Sequence, residues 1–174
     1  MKIAIIGYSG SGKSTLAGHL AEHYDIPVLY FDRVQFRPNW EIRPQKSKEV
    51  MTRVFLDLHE SWVIDGNYSK LFFERRMEEA DVIILLLFNR FACLHRVWRR
   101  YRKYKNQSRP DMGDGCNEKL DREFVKWVLR DGRSKTTKDR YGWVLSQYPN
   151  KTIVVKNQRQ LDKVQKRIEE LCKK

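Results

Sequence analysis

Two hydrophobic patterns alternate along this chain: short uninterrupted apolar runs, and apolar residues recurring at four-residue steps. The first run, Lys2 to Ile6, ends in Gly7 and reads as a buried strand; the second, Pro27 to Phe31, closes on Asp32. Trp62-Val63-Ile64 is a third strand, ended by Asp65-Gly66. Asp81 to Phe88 is a fourth, apolar at every position from Val82, and Thr152 to Val155 is a fifth. An unbroken apolar run suits a parallel strand covered on both faces.

Between these runs the period changes to that of a helix. Leu16, Leu20 and Tyr24 mark Ser14 to Tyr24, and Ser69 to Glu79 forms a short helix. From Ser47 onward, Val50, Val54 and Leu58, with Met51 and Phe55, share one helical face. Phe91 to Lys105, Lys119 to Arg130 and Lys138 to Gln147 are helical, and Leu161, Val164, Ile168 and Leu171 mark a closing helix. Pro38 and Pro44 bracket Trp40 in a polar segment, and Ser108 to Cys116 is broken by Pro110, Gly113 and Gly115. Five strands alternating with helices predict an α/β fold, a parallel sheet with helices on both faces. The 174 residues suit a single domain, with a lid over about residues 96–118.

Composition narrows the class. Apolar residues make up 41 %, enough for a packed core, and no apolar run reaches the ~18 residues that cross a bilayer. Met1 leads directly into the first strand without a signal-peptide core. Cys93, Cys116 and Cys172 are widely spaced with no metal-ligand pairing, which predicts reduced thiols in a cytoplasmic protein. A net charge of +13 favours anionic partners: phosphorylated metabolites, nucleotides or nucleic acid.

The chemistry begins at Gly7-Tyr8-Ser9-Gly10-Ser11-Gly12-Lys13-Ser14-Thr15, which fits G-x-x-x-x-G-K-[ST] at each fixed position and lies between a strand and a helix. Its glycines let successive N–H groups surround one anion, and the following helix adds its positive end. The reading assigns Gly7, Ser9, Gly10, Ser11, Gly12, Lys13, Ser14 and Thr15 to the phosphates of ATP, with Lys13 reaching the β- and γ-phosphates and Ser14 ligating Mg²⁺.

Asp32 and Asp65 each follow a strand, so a parallel sheet brings both to its carboxyl edge beside this loop. Asp65 ends an apolar strand as a Walker-B aspartate does, and is expected in the Mg²⁺ shell. Asp32 either accepts a proton from an acceptor hydroxyl or joins the metal shell. The same two residues also suit a turn and a helix cap. From Arg90 to Arg109 there are eight basic residues and no acidic one. Leu94, Val97, Trp98 and Tyr101 are expected to form the apolar seam, with Arg96, Arg99, Arg100 and Lys103 opposite. Arg96, Arg100 and Arg109 are the candidates for meeting charge on a transferring phosphoryl group as a lid closes.

Phe31-Asp32 through Phe36, Pro38 and Trp40, then Trp62 to Tyr68, then Arg109-Pro110-Asp111-Met112 through Gly115-Cys116 and Glu118, resemble the adenylate-kinase-like P-loop proteins known as DNA topology modulation proteins, over nearly the whole length. The resemblance implies a nucleoside-monophosphate-kinase-like fold with strand order 2-3-1-4-5. It also implies an acceptor site between the helix after strand 2 and the lid, and an adenine loop at Asn157 and Gln158. Asp65-Gly66-Asn67-Tyr68 departs from the Asp-Gly-Phe-Pro-Arg of adenylate kinases, which speaks against AMP as acceptor. Cys116 lacks the companions of a zinc-bearing lid. Tyr30, Phe31, Phe36 and Trp40 suit either core packing or stacking on an acceptor ring. Two classes of function follow: a Mg²⁺-dependent kinase using ATP on a small nucleoside, nucleotide or hydroxylated metabolite, or an ATP-dependent nucleic-acid-associated regulatory protein with weak ATPase activity.

Overall fold

Alternate residues of the apolar runs point to opposite sides of one sheet, as the two-residue strand period requires. The computed structural model describes residues 1–172 apart from Asn106, Pro110 and Asp114; the proline expected to break the lid therefore lies outside the described residues. Strands β1 (Lys2–Gly7), β2 (Val28–Tyr30), β3 (Trp62–Asp65), β4 (Val82–Leu86) and β5 (Thr152–Val155) form a parallel sheet in the order β2-β3-β1-β4-β5. The helices are α1 (Lys13–Tyr24), α2 (Phe31–Gln35), α3 (Gln45–Leu58), α4 (Phe73–Glu79), α5 (Arg90–Lys103), α6 (Arg122–Leu129), α7 (Lys135–Gln147), α8 (Gln158–Leu161) and α9 (Val164–Cys172). Among the described residues no helix is long and apolar enough to cross a membrane.

Ile3, Ile5, Val82 and Ile84 face one way and pack with α1, α5, α6 and α9; Ala4, Ile6, Ile83 and Leu85 face the other way, towards α2, α3, α4 and α7. Both faces are dry, which is why these strands carry no polar alternation.

Two apolar helical faces are buried only in part. On α3 the buried residues are Lys48, Thr52 and Leu56, whereas Val50, Val54 and Leu58 are 52 %, 48 % and 73 % exposed. The cause is the neighbour: α3 packs on the polar end of α2, where Lys48 Nζ donates to Gln35 Oε1 at 2.9 Å and Thr52 Oγ1 bonds back to Lys48 O at 2.7 Å. On α5 the buried seam is Cys93 and Val97, while Trp98 is 43 % exposed. The half-buried Arg96 and Arg100 flank that seam rather than facing away from it. The sequence also hides a helix: Phe31 is not the end of β2 but the start of α2.

Arg76 carries a guanidinium into the interior. It is fully buried, stacks on Phe31 at 4.4 Å, and donates to the carbonyls of Leu71 (2.9 Å), Gly66 (3.1 Å) and Tyr68 (2.8 Å). Burial, with the neighbouring Arg140 charge, pulls its guanidinium down to about 9. It clamps the chain leaving β3 as that chain enters the site. Arg76→Leu strands three carbonyls, two of them in buried bonds and one part-buried, each worth about 1 kcal/mol or more when unpaired. We expect urea unfolding to show a loss of about 3 kcal/mol; a loss below about 1 kcal/mol contradicts the clamp.

Candidate active site

The loop from Gly7 to Lys13 joins β1 to α1 at the carboxyl edge of the sheet. Gly7, Gly10 and Gly12 all have positive φ (145°, 77° and 96°). At Gly10 the need is twofold, because a Cβ would also sit 2.7 Å from Cys93 O and 2.7 Å from Val97 Cγ2 on α5. The loop is therefore both bent for its amides and pressed against the helix that carries Arg96. Gly12 caps α1 in the left-handed conformation, leaving the first amides of that helix pointing out of its end.

Lys13 Nζ donates to Tyr8 O at 3.1 Å, folded back over the loop. Ser14 Oγ donates to Asp65 Oδ2 at 2.7 Å, so the two residues expected to share Mg²⁺ meet directly. Asp65 Oδ1 and the hydroxyl of Ser11 are both buried without a hydrogen-bond partner among the described residues. Burial raises the Asp65 carboxyl to about 6, against the pull of Lys13 and the Ser14 hydrogen bond; Asp32 and Asp111 push it further up. A buried carboxylate with an unsatisfied oxygen, bonded to a serine hydroxyl beneath an amide loop, fits a hard cation that takes few protein ligands and completes its shell with water and phosphate oxygens. The donor set therefore suits Mg²⁺.

Asp32, in the first turn of α2, accepts from Tyr68 OH at 2.7 Å. Its other oxygen takes no hydrogen bond among the described residues. Burial first, then the Asp32 charge and hydrogen bond, drive the Tyr68 hydroxyl far up, so Tyr68 stays a donor and fixes the carboxylate's orientation.

The basic candidates separate. Arg96 Nη1 donates to Ser11 O at 2.6 Å and Nη2 to Gln158 Oε1 at 2.5 Å, with its guanidinium over the Phe88 ring at 3.9 Å. It lies against the phosphate loop, and the same contact ties in Gln158, while Asn157 caps α8 through Gln160 N at 2.9 Å. Arg100 and Arg109 instead converge on carboxylates. Arg100 Nη2 and Arg109 Nε each lie 2.7 Å from Glu118, and Arg109 Nη1 lies 2.7 Å from Asp111. Glu118 and Arg109 are buried, so this network fastens the segment after α5 to that helix.

Several participants had no signal in the sequence. The side-chain amide of Asn67 imitates a strand partner for Gly7: Gly7 N–H donates to Oδ1 at 3.0 Å and Nδ2 donates to Gly7 O at 2.7 Å. Tyr141 OH adds a donor to the same Oδ1 at 3.2 Å. Arg133 lies over the Tyr8 ring at 3.8 Å, and Trp127 Nε1 donates to Ser9 Oγ at 3.0 Å, so α6 and the chain after it cover the loop's outer side. These contacts join residues 60 to 125 positions apart, which no local pattern reveals. Asn67→Ala removes both bonds to Gly7, worth about 1 kcal/mol each. ATP binding should weaken about tenfold, with the unfolding midpoint moving less than roughly 5 °C; unchanged affinity in a calorimetric titration contradicts a positioning role.

The aromatic residues divide as well. Phe31 is core and Tyr30 half-buried on the β2 edge. Phe36 and Trp40 stack edge-to-face on each other at 5.1 Å. Cys116 is buried at their side, accepting from Trp40 N–H and donating to Arg37 O at 3.4 Å each. The segment around Cys116 thereby rests on the segment after α2.

By sequence the chain matches no family model and no curated protein. Solved structures do match. The shikimate kinase of Acinetobacter baumannii aligns with a TM-score of 0.60 at 17 % identity, covering 99 % of this chain and 93 % of that one. The deoxyadenosine kinase of M. mycoides aligns with a TM-score of 0.54 at 15 % identity, covering 98 % and 100 %. A protein of Eubacterium ventriosum aligns at 0.53 and 18 %, covering both chains fully. At these identities the likeness establishes the fold: a five-stranded P-loop kinase fold with strand order 2-3-1-4-5.

Proposed function

We propose that this protein is a phosphotransferase that moves the terminal phosphoryl group of ATP to a hydroxyl group of a small acceptor. The observation that carries the reading is the Ser14–Asp65 pair with its unpartnered carboxylate oxygen beneath the amide loop. The kinase fold of the matched structures supports it, as do the nucleotides dCMP and dCDP bound to the M. mycoides enzyme.

The amides of residues 7–14 and the ammonium of Lys13 hold the β- and γ-phosphates. Mg²⁺, when bound by Ser14 and Asp65, neutralises charge on the phosphate oxygens. Asp32, oriented by Tyr68, receives the proton of the acceptor hydroxyl as its oxygen takes the γ-phosphorus, and the bond to the β-bridging oxygen breaks. Arg96 leaves Ser11 O to meet the transferring group, while Arg100 and Arg109 hold the lid through Glu118.

The second reading is an ATP-dependent nucleic-acid-associated protein, a DNA topology modulator with weak hydrolysis. The net charge of +13 and the exposed Arg90, Arg99, Arg102 and Lys103 on α5 favour it. One experiment separates the two. Incubation with labelled ATP, Mg²⁺ and a panel of nucleosides, nucleotides and hydroxylated metabolites should reveal one acceptor that captures phosphate at least ~100-fold faster than water does. If none outpaces water while DNA binds with a steep salt dependence, the kinase reading falls.

A further inference from the structure

The apolar stripe of α3 faces outward. Val50, Met51, Val54 and Leu58 are all exposed, and Ile42, just before the helix, is 63 % exposed. The inward face is occupied by Lys48, Thr52 and Leu56, with Phe55 partly buried beside them. Apolar residues at i, i+4 and i+8 on a solvent face mark an interaction surface.

The stripe is built to meet itself. Positions related by a two-fold axis near residue 52 sum to about 104, and most residues at those positions complement each other, while Arg53 comes beside its own copy with its guanidinium 5.5 Å from the Phe72 ring. Val50 pairs with Val54. The small Ser47 leaves room for Leu58 of the other copy. On one flank, Lys46 of one copy comes opposite Asp57 of the other, the carboxylate that Arg75 also approaches at 2.7 Å. On the opposite flank Met51 comes against its own copy. A parallel pairing would instead set Lys46 against Lys46 and Asp57 against Asp57.

We propose that the outer face of α3 packs antiparallel against the same face of a second copy of this chain, forming a two-fold dimer. The contact braces more than the helix. Lys48 bonds to Gln35, and Arg43 Nε donates to Val34 O at 3.0 Å, so α3 and its approach hold α2, which carries Asp32. The dimer places the two α2 segments back to back behind their sites. This inference stands on the exposed stripe and does not depend on the kinase reading.

Sedimentation of the full chain tests it. A single helix pair, with each helix about 20 Å long, lies at the small end of specific interfaces. Wild type should therefore run as a dimer at about 100 µM and dissociate on dilution towards about 1 µM. Val54→Glu should be monomeric throughout, with an unchanged unfolding midpoint. In a Cys172→Ser background, mild oxidation should link Met51→Cys to its own copy. Leu58→Cys, displaced from its copy by about 18 Å along the axis, should remain unlinked. A monomer at 100 µM, a Val54→Glu dimer, or self-linking at Leu58→Cys but not at Met51→Cys would each overturn the proposal. Should Val54→Glu fail to fold, the cysteine pair still decides.

Discussion

Lys13→Ala is expected to lower ATP turnover about 10³-fold while leaving the unfolding midpoint within roughly 3 °C of wild type. The ammonium of Lys13 donates to the carbonyl of Tyr8 at 3.1 Å. That bond is half-exposed and local to the loop, so its loss costs the fold little. Against a triphosphate the same ammonium faces several oxygens inside a loop of amides, where water is thin and a single charge is worth several kcal/mol. Stability and turnover therefore respond separately. A Lys13→Ala protein that folds and turns over ATP at the wild-type rate removes Lys13 from the phosphate site.

Asp65→Asn is expected to act in opposite directions on stability and on binding. An unfolded aspartate titrates near 3.9 and the folded Asp65 at about 6. Between those values the native state holds more protons than the unfolded chain, so stability falls as the pH rises from about 4 to about 6 and is flat above. Two units at about 1.4 kcal/mol each put the cost of the buried charge at somewhat over 2 kcal/mol. Asparagine removes that cost and keeps an acceptor for Ser14. Without nucleotide, the variant should be about 2 kcal/mol more stable than wild type at pH 7.5, and the difference should vanish near pH 4. Magnesium-dependent nucleotide affinity should meanwhile drop about 100-fold, and wild-type affinity should itself decline as the pH falls below about 6. Urea titrations at two pH values and binding with and without Mg²⁺ read both effects. A variant that is less stable at pH 7.5 yet binds Mg²⁺-nucleotide normally contradicts the assignment.

The parallel sheet and the phosphate loop were legible because their causes are local. Ile3 to Ile6 and Val82 to Leu86 are apolar at every position because both faces are covered. The loop's glycines announce backbone angles that other residues resist. Periodicity failed where a helix lies at the rim. On α3 the inward face mixes Lys48 and Thr52 with Leu56, since α2 offers Gln35 to Lys48, and Val50, Val54 and Leu58 stay exposed. On α5, Arg96 and Arg100 flank the seam because their heads find Ser11 O and Glu118, partners remote in sequence. A guanidinium on a long aliphatic stem lies along an apolar wall while its head bonds at the end. The same limit hid Arg76, whose three carbonyl partners exist only after the turn beyond β3 has formed.

On the proposed reading Ser14 and Asp65 together hold magnesium-bound polyphosphate under the amide loop, and calorimetric titration of the purified chain with a non-hydrolysable ATP analogue tests it most directly. The structure predicts saturable binding with a dissociation constant between about 1 µM and 1 mM in Mg²⁺. Binding should weaken sharply in EDTA and in Lys13→Ala. Folded protein that gives no heat with any magnesium-nucleotide complex, and no rise in unfolding temperature in its presence, would contradict it.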